Sequence, residues 1–456
     1  MNCLHAGFAR VDATPPMGIP IKGYYVPRFA EGVLDPLQIN ALALRCHAKT
    51  VVLLTLDNCG IKQDLAGILR SHVANALGVQ LQYVHLHTTH THTAPTAQLH
   101  TGNELVDEYI ALLKERMAEA ARLAVCDLRP AKMGVGEGIA PNIAFVRRFI
   151  MADGSIRTNP GVNNPDIVQP VGQVDERVHL LRFDREDGDS LLLVNFGNHP
   201  DTVGGCKISG DWPNFVRRTV EKVLDHTKCI FFNGAQGDVN HVNVHPKTGD
   251  MNGMFLDFDD VARGYAHARH IGNVVTGAVL QAFEKVAYRD VNSINALSKP
   301  VQIPANLPTP QQLIEAKRIH LLHAQGRDHE LAYEGMMLTT VVAEAERMVA
   351  LEHGPEHFSV ELSAIAIGDV ALLCIPGEPF TKLGVEAKLA QDWAWVLPFA
   401  LTNGSEGYFP TMDAYEQGGY EARSSPFRAG VSELLLENGL QLLTCLHKKQ
   451  EESNKT

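Results

Sequence analysis

Leu81-Gln82-Tyr83-Val84-His85-Leu86-His87-Thr88-Thr89-His90-Thr91-His92 is the stretch on which the reading of this chain turns. Its first four residues are largely apolar and read as a strand, and the histidines then come in two alternate-residue pairs, His85 with His87 and His90 with His92. In an extended chain, side chains alternate between faces, so His90 and His92 are expected to point the same way. With His100 close behind, five histidines crowd one short segment. Two imidazoles on one face at a strand end suit a transition metal or proton handling. The bland alternative is a polar strand end whose histidines bond backbone carbonyls.

Outward from this segment, β-rich and helical stretches follow one another without strict alternation. Strands are expected at Ala41–Cys46, Val51–Asp57, Pro130–Gly138, Arg177–Phe183, Ser190–Gly197, Cys229–Asn233, Ser359–Ile367, Val370–Ile375 and Ala394–Leu401. Helical periodicity covers Lys62–Leu77, Glu104–Val125, Asp211–Leu224, Asp259–Lys285, Gln311–Gln325, Leu331–His353, a segment from Pro379, and Val431–Leu446. No repeat or long linker divides the chain. The expected fold class is α/β: a single large domain, residues 1–447, around a mixed β-sheet with flanking helices, followed by a polar, frayed tail at 448–456.

Composition narrows the function. With 456 residues the chain can bury a large core, and 45% apolar with 20% charged residues is ordinary for a globular protein. A net charge of −12 argues against nucleic acid or an anionic membrane as main partner. No run of about 18 apolar residues predicts a membrane span, and no secretory signal is visible at the start. Eight scattered cysteines without a Cys-x-x-Cys pair fit reduced thiols, so a cytoplasmic protein is expected. A homo-oligomer is compatible with this size.

Polar residues gather where apolar strands end, which is where open α/β sheets place their chemistry. Leu191–Gly197 delivers His199; Leu372–Ile375 leads to Glu378; Phe399–Leu401 leads to Tyr408; Cys229–Asn233 leads to Gly237, Asp238 and Asn240. Arg147-Arg148 precedes a hairpin-like Asp153-Gly154-Ser155, where an arginine can clamp a substrate oxygen or remain solvated. Each has a structural alternative, such as a helix-start carboxylate or a core histidine. Together, imidazoles and a carboxylate form the ligand type of a catalytic zinc with an open position.

As a set, these residues resemble the catalytic domain of the neutral/alkaline, non-lysosomal ceramidase family. The likeness runs from Asp12-x-Thr14-Pro15-Pro16, Gly18 and Gly23-Tyr24 through Thr89-His90-Thr91-His92, Arg147, Asn198-His199, Gly237-Asp238-Val239, Pro376-Gly377-Glu378 and Tyr408 to Gln417-x-x-Tyr420-Glu421. It implies a zinc ion held by His90, His199, Glu378 and Tyr408, with His92, Arg147 and Tyr420 around a scissile amide carbonyl. His92 would relay a proton to the leaving amine, and Arg147 or Tyr420 would stabilise the oxyanion. Asn240 stands where the family has a serine, and the chain stops after the catalytic domain. The expectation is therefore a zinc-dependent amide hydrolase acting on a small N-acyl amine. A true ceramidase cleaving N-acyl-sphingosine is the alternative; a non-catalytic metal- or ligand-binding protein is the alternative of another class.

Overall fold

The computed structural model describes residues 3–247 and 261–455. Its largest sheet is built from β1 (Leu4–Asp12), β2 (Gln38–Cys46), β3 (Lys49–Leu56), β4 (Val84–Thr88), β5 (Arg129–Ile139), β6 (Arg177–Arg185), β7 (Ser190–Phe196) and β8 (Thr227–Asn233). Their spatial order is β8-β7-β6-β5-β1-β2-β3-β4, with Ala287–Arg289 (β9) added beside β5. Neighbours are antiparallel except at the two edges, where β3–β4 and β7–β8 run parallel. Parallel pairs require crossovers. These are α1 (Gln63–Leu77) and α3 (Asp211–Val223).

A second sheet orders β10 (Ile294–Pro304), β11 (His357–Ile367), β12 (Val370–Cys374) and β14 (Trp395–Phe399), and β12–β14 is again parallel. Between β12 and β14, Glu378–Pro379 (β13) forms a two-residue pair with Tyr408–Phe409 (β15). The two sheets share a buried core that includes Leu42, Leu53, Phe183, Phe232, Ile365, Leu372 and Phe399. On the outer face of the large sheet, α1 and α2 (Glu104–Cys126) cover β1–β4, while α3 and α4 (Val261–Phe283) cover β5–β8. A long helix, Val431–Lys455, covers the second sheet. The layers are thus helix, sheet, sheet, helix. The mixed sheet with flanking helices is the fold class expected from the sequence. Residues 259 and 260, expected to open α4, lie outside the described residues.

The α4 contact is close because β5 carries glycine at 136 and 138, where a Cβ would meet Ala282 and Ala278 of the helix. A Cβ on Gly138 would overlap the Ala278 carbonyl of α4. Gly138→Ala is expected to destabilise the protein by about 1–3 kcal/mol through overpacking, read from the midpoint of chemical unfolding.

Three expectations need correction. Leu81–Tyr83 is a single 3₁₀ turn, and the strand starts at Val84. The guanidinium of Arg70, buried under this segment, donates to the Leu81 and Val84 carbonyls and ties the chain into a turn. Next, Cys3 and Cys46 form a disulfide, with Cα atoms 5.0 Å apart. The β1–β2 register pairs Leu4 with Cys46, which brings the two thiols together at the end of the ladder. Finally, the frayed tail is the last part of the C-terminal helix. Gln450 is buried there, and its amide donates to the Ser293 and Gly368 carbonyls.

Candidate metal centre

The carboxyl ends of the parallel pairs β3–β4, β7–β8 and β12–β14 face one another. Asn233, the last residue of β8, donates its N–H to His87 Nε2 of β4 at 3.0 Å. Ala400, just past β14, donates its N–H to the Asn233 carbonyl, also at 3.0 Å. Loops leaving these strand ends carry the candidate residues.

After β4 the chain turns sharply. His90 has φ +74°, a left-handed conformation that a residue with a Cβ adopts only when its surroundings impose it. Here they do. The His90 N–H donates to the Asn58 carbonyl at 2.8 Å, and Thr89 donates to the Leu56 carbonyl and to Asp57. Asp57 is itself held by a bidentate ion pair with Arg217, at 2.9 and 2.6 Å, and neither side chain has any exposed surface. His90 and His92 do face a common centre, with ring centroids 4.8 Å apart. Both lie beyond the strand, so the strained turn brings them together and strand alternation does not.

His90 Nδ1 donates to the Cys59 carbonyl at 2.5 Å. His199 Nδ1 is shared between the Gln236 and Val239 carbonyls, at 2.8 and 2.9 Å. A ring nitrogen that meets a carbonyl must carry the proton, so in both neutral rings Nε2 presents a lone pair. Both lone pairs point at Glu378. Its Oε2 lies 3.2 Å from His90 Nε2 and 3.1 Å from His199 Nε2. His199 Nε2 and Glu378 Oε2 are buried and complete no hydrogen bond. Acceptor atoms that converge in this way repel one another unless a cation lies among them. One atom from each of the three residues falls within 4.8 Å of the others, so the trio can hold a metal ion. Two imidazoles and a carboxylate, each imidazole oriented by a backbone carbonyl behind it, form a donor set of the kind that holds a divalent metal ion.

Without an ion the charges lean on each other. Burial works against ionisation of Glu378, yet His90 and His199 hold its carboxyl well below the ordinary range. Burial also opposes charge on His90, but Glu378 holds that imidazole well above its usual value. Burial and the neighbouring His90 push His92 well down.

The remaining predicted residues surround the trio. Tyr408 is the register partner of Glu378, and its ring stacks on that of His199, with centroids 6.3 Å apart and planes at 26°. His92 Nε2 is 3.3 Å from His90 Nε2. The Arg147 guanidinium carbon is 5.4 Å from the Tyr408 ring centre and 6.0 Å from that of Tyr420. The Tyr420 ring meets Tyr408 edge-on at 5.6 Å. Asn240 is buried next to Val239, but its amide donates to Asn159 and its Oδ1 accepts from Val242, so no hydrogen bond joins it to the histidines.

Other histidines have different roles. His85 and His87 are buried and bonded to main chain and to Asn403, and burial pushes both down to about 3, so they stay neutral. His100 is exposed. His241 bonds Asp201 at 2.9 Å, and neither it nor His245 belongs to a metal-competent group among the described residues. Sequence reading missed Tyr25, whose hydroxyl is 3.3 Å from that of Tyr420. It also missed the ion pair between Glu421 and Arg147, 274 residues apart. Only the fold brings these partners together.

By sequence, the chain matches no family model and no curated protein. By structure, it is similar to the neutral ceramidase of Pseudomonas aeruginosa, with a TM-score of 0.75 over 98% of this chain and 75% of that one, at 16% identity. A ceramidase complexed with C2 is similar as well, with a TM-score of 0.74, 16% identity and coverage of 98% and 76%. The chain has the neutral ceramidase fold.

Proposed function

We propose that this protein is a zinc-dependent hydrolase that cleaves the amide bond of a small N-acyl amine. The observation that carries this reading is the convergence of His90 Nε2, His199 Nε2 and Glu378 Oε2 with both imidazole tautomers fixed by backbone carbonyls. The ceramidase names of the structural neighbours add support. No helix among the described residues is long and apolar enough to cross a membrane.

Tyr408 is the fourth ligand in this reading. A zinc ion held by these residues would supply Lewis-acid polarisation of the amide carbonyl and would acidify a water molecule. His92 carries a proton to the leaving amine; its Nδ1 is buried without a hydrogen-bond partner and is free to take that part. Arg147 and Tyr420 donate to the developing oxyanion. Asn240 is engaged with Asn159 and Val242 and carries none of these steps.

Gly23 sets the position of His92. It has φ +120°, and a Cβ there would sit 2.9 Å from Cβ and Cγ of His92. Gly23→Ala is expected to shift the ring and lower turnover by about 10–10²-fold, while unfolding remains cooperative. Kinetics and a melting curve on the same sample check this.

A second reading, hydrolysis of N-acyl-sphingosine, is favoured by one observation. The segment 17–33 that carries Gly23 exposes Met17, Val26, Phe29 and Val33, each more than two-fifths accessible, which offers apolar surface to a lipid chain. Turnover of soluble N-acyl amines and of N-acyl-sphingosine in detergent micelles separates the two readings. Cleavage of the soluble amides alone supports the first, cleavage of the lipid alone supports the second, and no cleavage of either removes the hydrolase assignment.

A further inference from the structure

Arg147 and Arg148 follow one another in the chain, both are buried, and they share one carboxylate, Glu421, which has no exposed surface. Glu421 Oε1 accepts from Arg147 Nε at 2.6 Å. Its Oε2 lies 4.0 Å from Arg148 Nε and accepts from Thr158 Oγ1 at 3.0 Å. Having given its proton to Glu421, Thr158 Oγ1 accepts the backbone N–H of Tyr420 at 3.2 Å. Arg147 is gripped a second time, because its Nη2 donates to the Gly237 carbonyl at 2.8 Å. With two edges of a planar group tied, the guanidinium cannot rotate without breaking both bonds. Arg148 closes the far side by donating to Gln417 Oε1 and the Gly418 carbonyl, at 3.1 Å each.

The two buried guanidiniums share this one carboxylate, as suits a site that receives negative charge during reaction. We propose that Glu421 is a positioning residue that fixes both oxyanion donors: the Arg147 guanidinium directly and the Tyr420 backbone through Thr158. It touches no reacting atom. The inference rests on the hydrolase reading above for what the donors act on, and on the hydrogen bonds alone for what holds them.

Glu421→Gln keeps the side chain's shape but removes its charge and one of its two acceptor oxygens. With octanoyl p-nitroanilide as probe, kcat is expected to fall about 10²-fold with KM within about threefold of wild type. Zinc per chain should be unchanged. The Arg147→Ala/Glu421→Gln double variant should be slower than Arg147→Ala by no more than the roughly tenfold of the Tyr420 branch, because the Arg147 branch is already gone. Losses that multiply, or a folded Glu421→Gln protein with wild-type kcat, overturn the proposal. If Glu421→Gln does not fold, Thr158→Val carries the test. A kcat loss of about tenfold at constant KM supports the proposal, and unchanged kcat overturns it.

A wild type that cleaves no amide would count against the hydrolase reading only. The Arg147 Nε–H resonance in nitrogen-labelled protein would then decide. It should be protected from exchange in wild type and exposed in Glu421→Gln, and equal protection in both would overturn the proposal.

Discussion

Glu378→Ala is expected to lose the metal ion and to lower amide turnover by about 10³-fold or more, on the several kcal/mol that a metal centre contributes to such a reaction, while the protein stays folded. The carboxylate supplies the negative charge in a pocket where two buried neutral imidazoles offer only lone pairs. Its backbone is secured independently of the side chain: the Glu378 N–H donates to the Gly407 carbonyl at 2.9 Å, within the short β13–β15 pair. Alanine leaves those bonds in place, and His90, no longer held charged by the buried carboxylate, can become neutral, so the fold should persist. Elemental zinc per chain, kcat/KM and far-UV circular dichroism on one preparation check the expectation. A folded variant that keeps both zinc and turnover would remove Glu378 from the centre.

Asp57→Ala should produce the largest loss of stability, about 3–5 kcal/mol, because it leaves the Arg217 guanidinium buried without its counter-charge. The pair has no solvent access, and Asp57 also accepts from the Gln38 N–H and the Thr89 hydroxyl. Removing it therefore loosens the turn that forces His90 to positive φ. Asp57→Ala/Arg217→Met is expected to recover part of the lost stability, since a buried thioether carries no charge to satisfy. Urea midpoints of the two variants check this. A double variant less stable than Asp57→Ala would show that Arg217 contributes through packing instead of charge.

The residues that converge were legible in the sequence because they sit just past apolar strands, His90 two residues after Thr88, His199 three after Phe196 and Glu378 four after Cys374. A buried strand followed by a polar residue marks the mouth of an α/β sheet, and His90, His199 and Glu378 follow that pattern, whereas Tyr408 comes nine residues after Phe399 in a two-residue strand of its own. What could not be read is which neighbour each polar group meets. His85 and His87 have the same spacing as His90 and His92, yet they bond Asn403 and the Ala400 carbonyl, more than 300 residues away, and serve the core. Leu81–Tyr83 looks like the start of a strand until the Arg70 side chain is known to lie beneath it. The Cys3–Cys46 bridge follows from the β1–β2 register, which no spacing of cysteines in the chain reveals. The fold class was accessible for a simpler reason: strands buried on both faces are nearly all apolar, and the two helix pairs each present one apolar face to them.

Metal content tied to turnover is the most direct test of a catalytic zinc site at His90, His199 and Glu378. Wild-type protein, stripped by chelation and reconstituted, is measured for zinc per chain and for hydrolysis of an N-acyl amine. The account predicts about one zinc per chain, as expected for one such donor set, with activity lost on chelation and restored by zinc. Folded protein that takes up no zinc, or that hydrolyses amides equally well without it, would contradict the account.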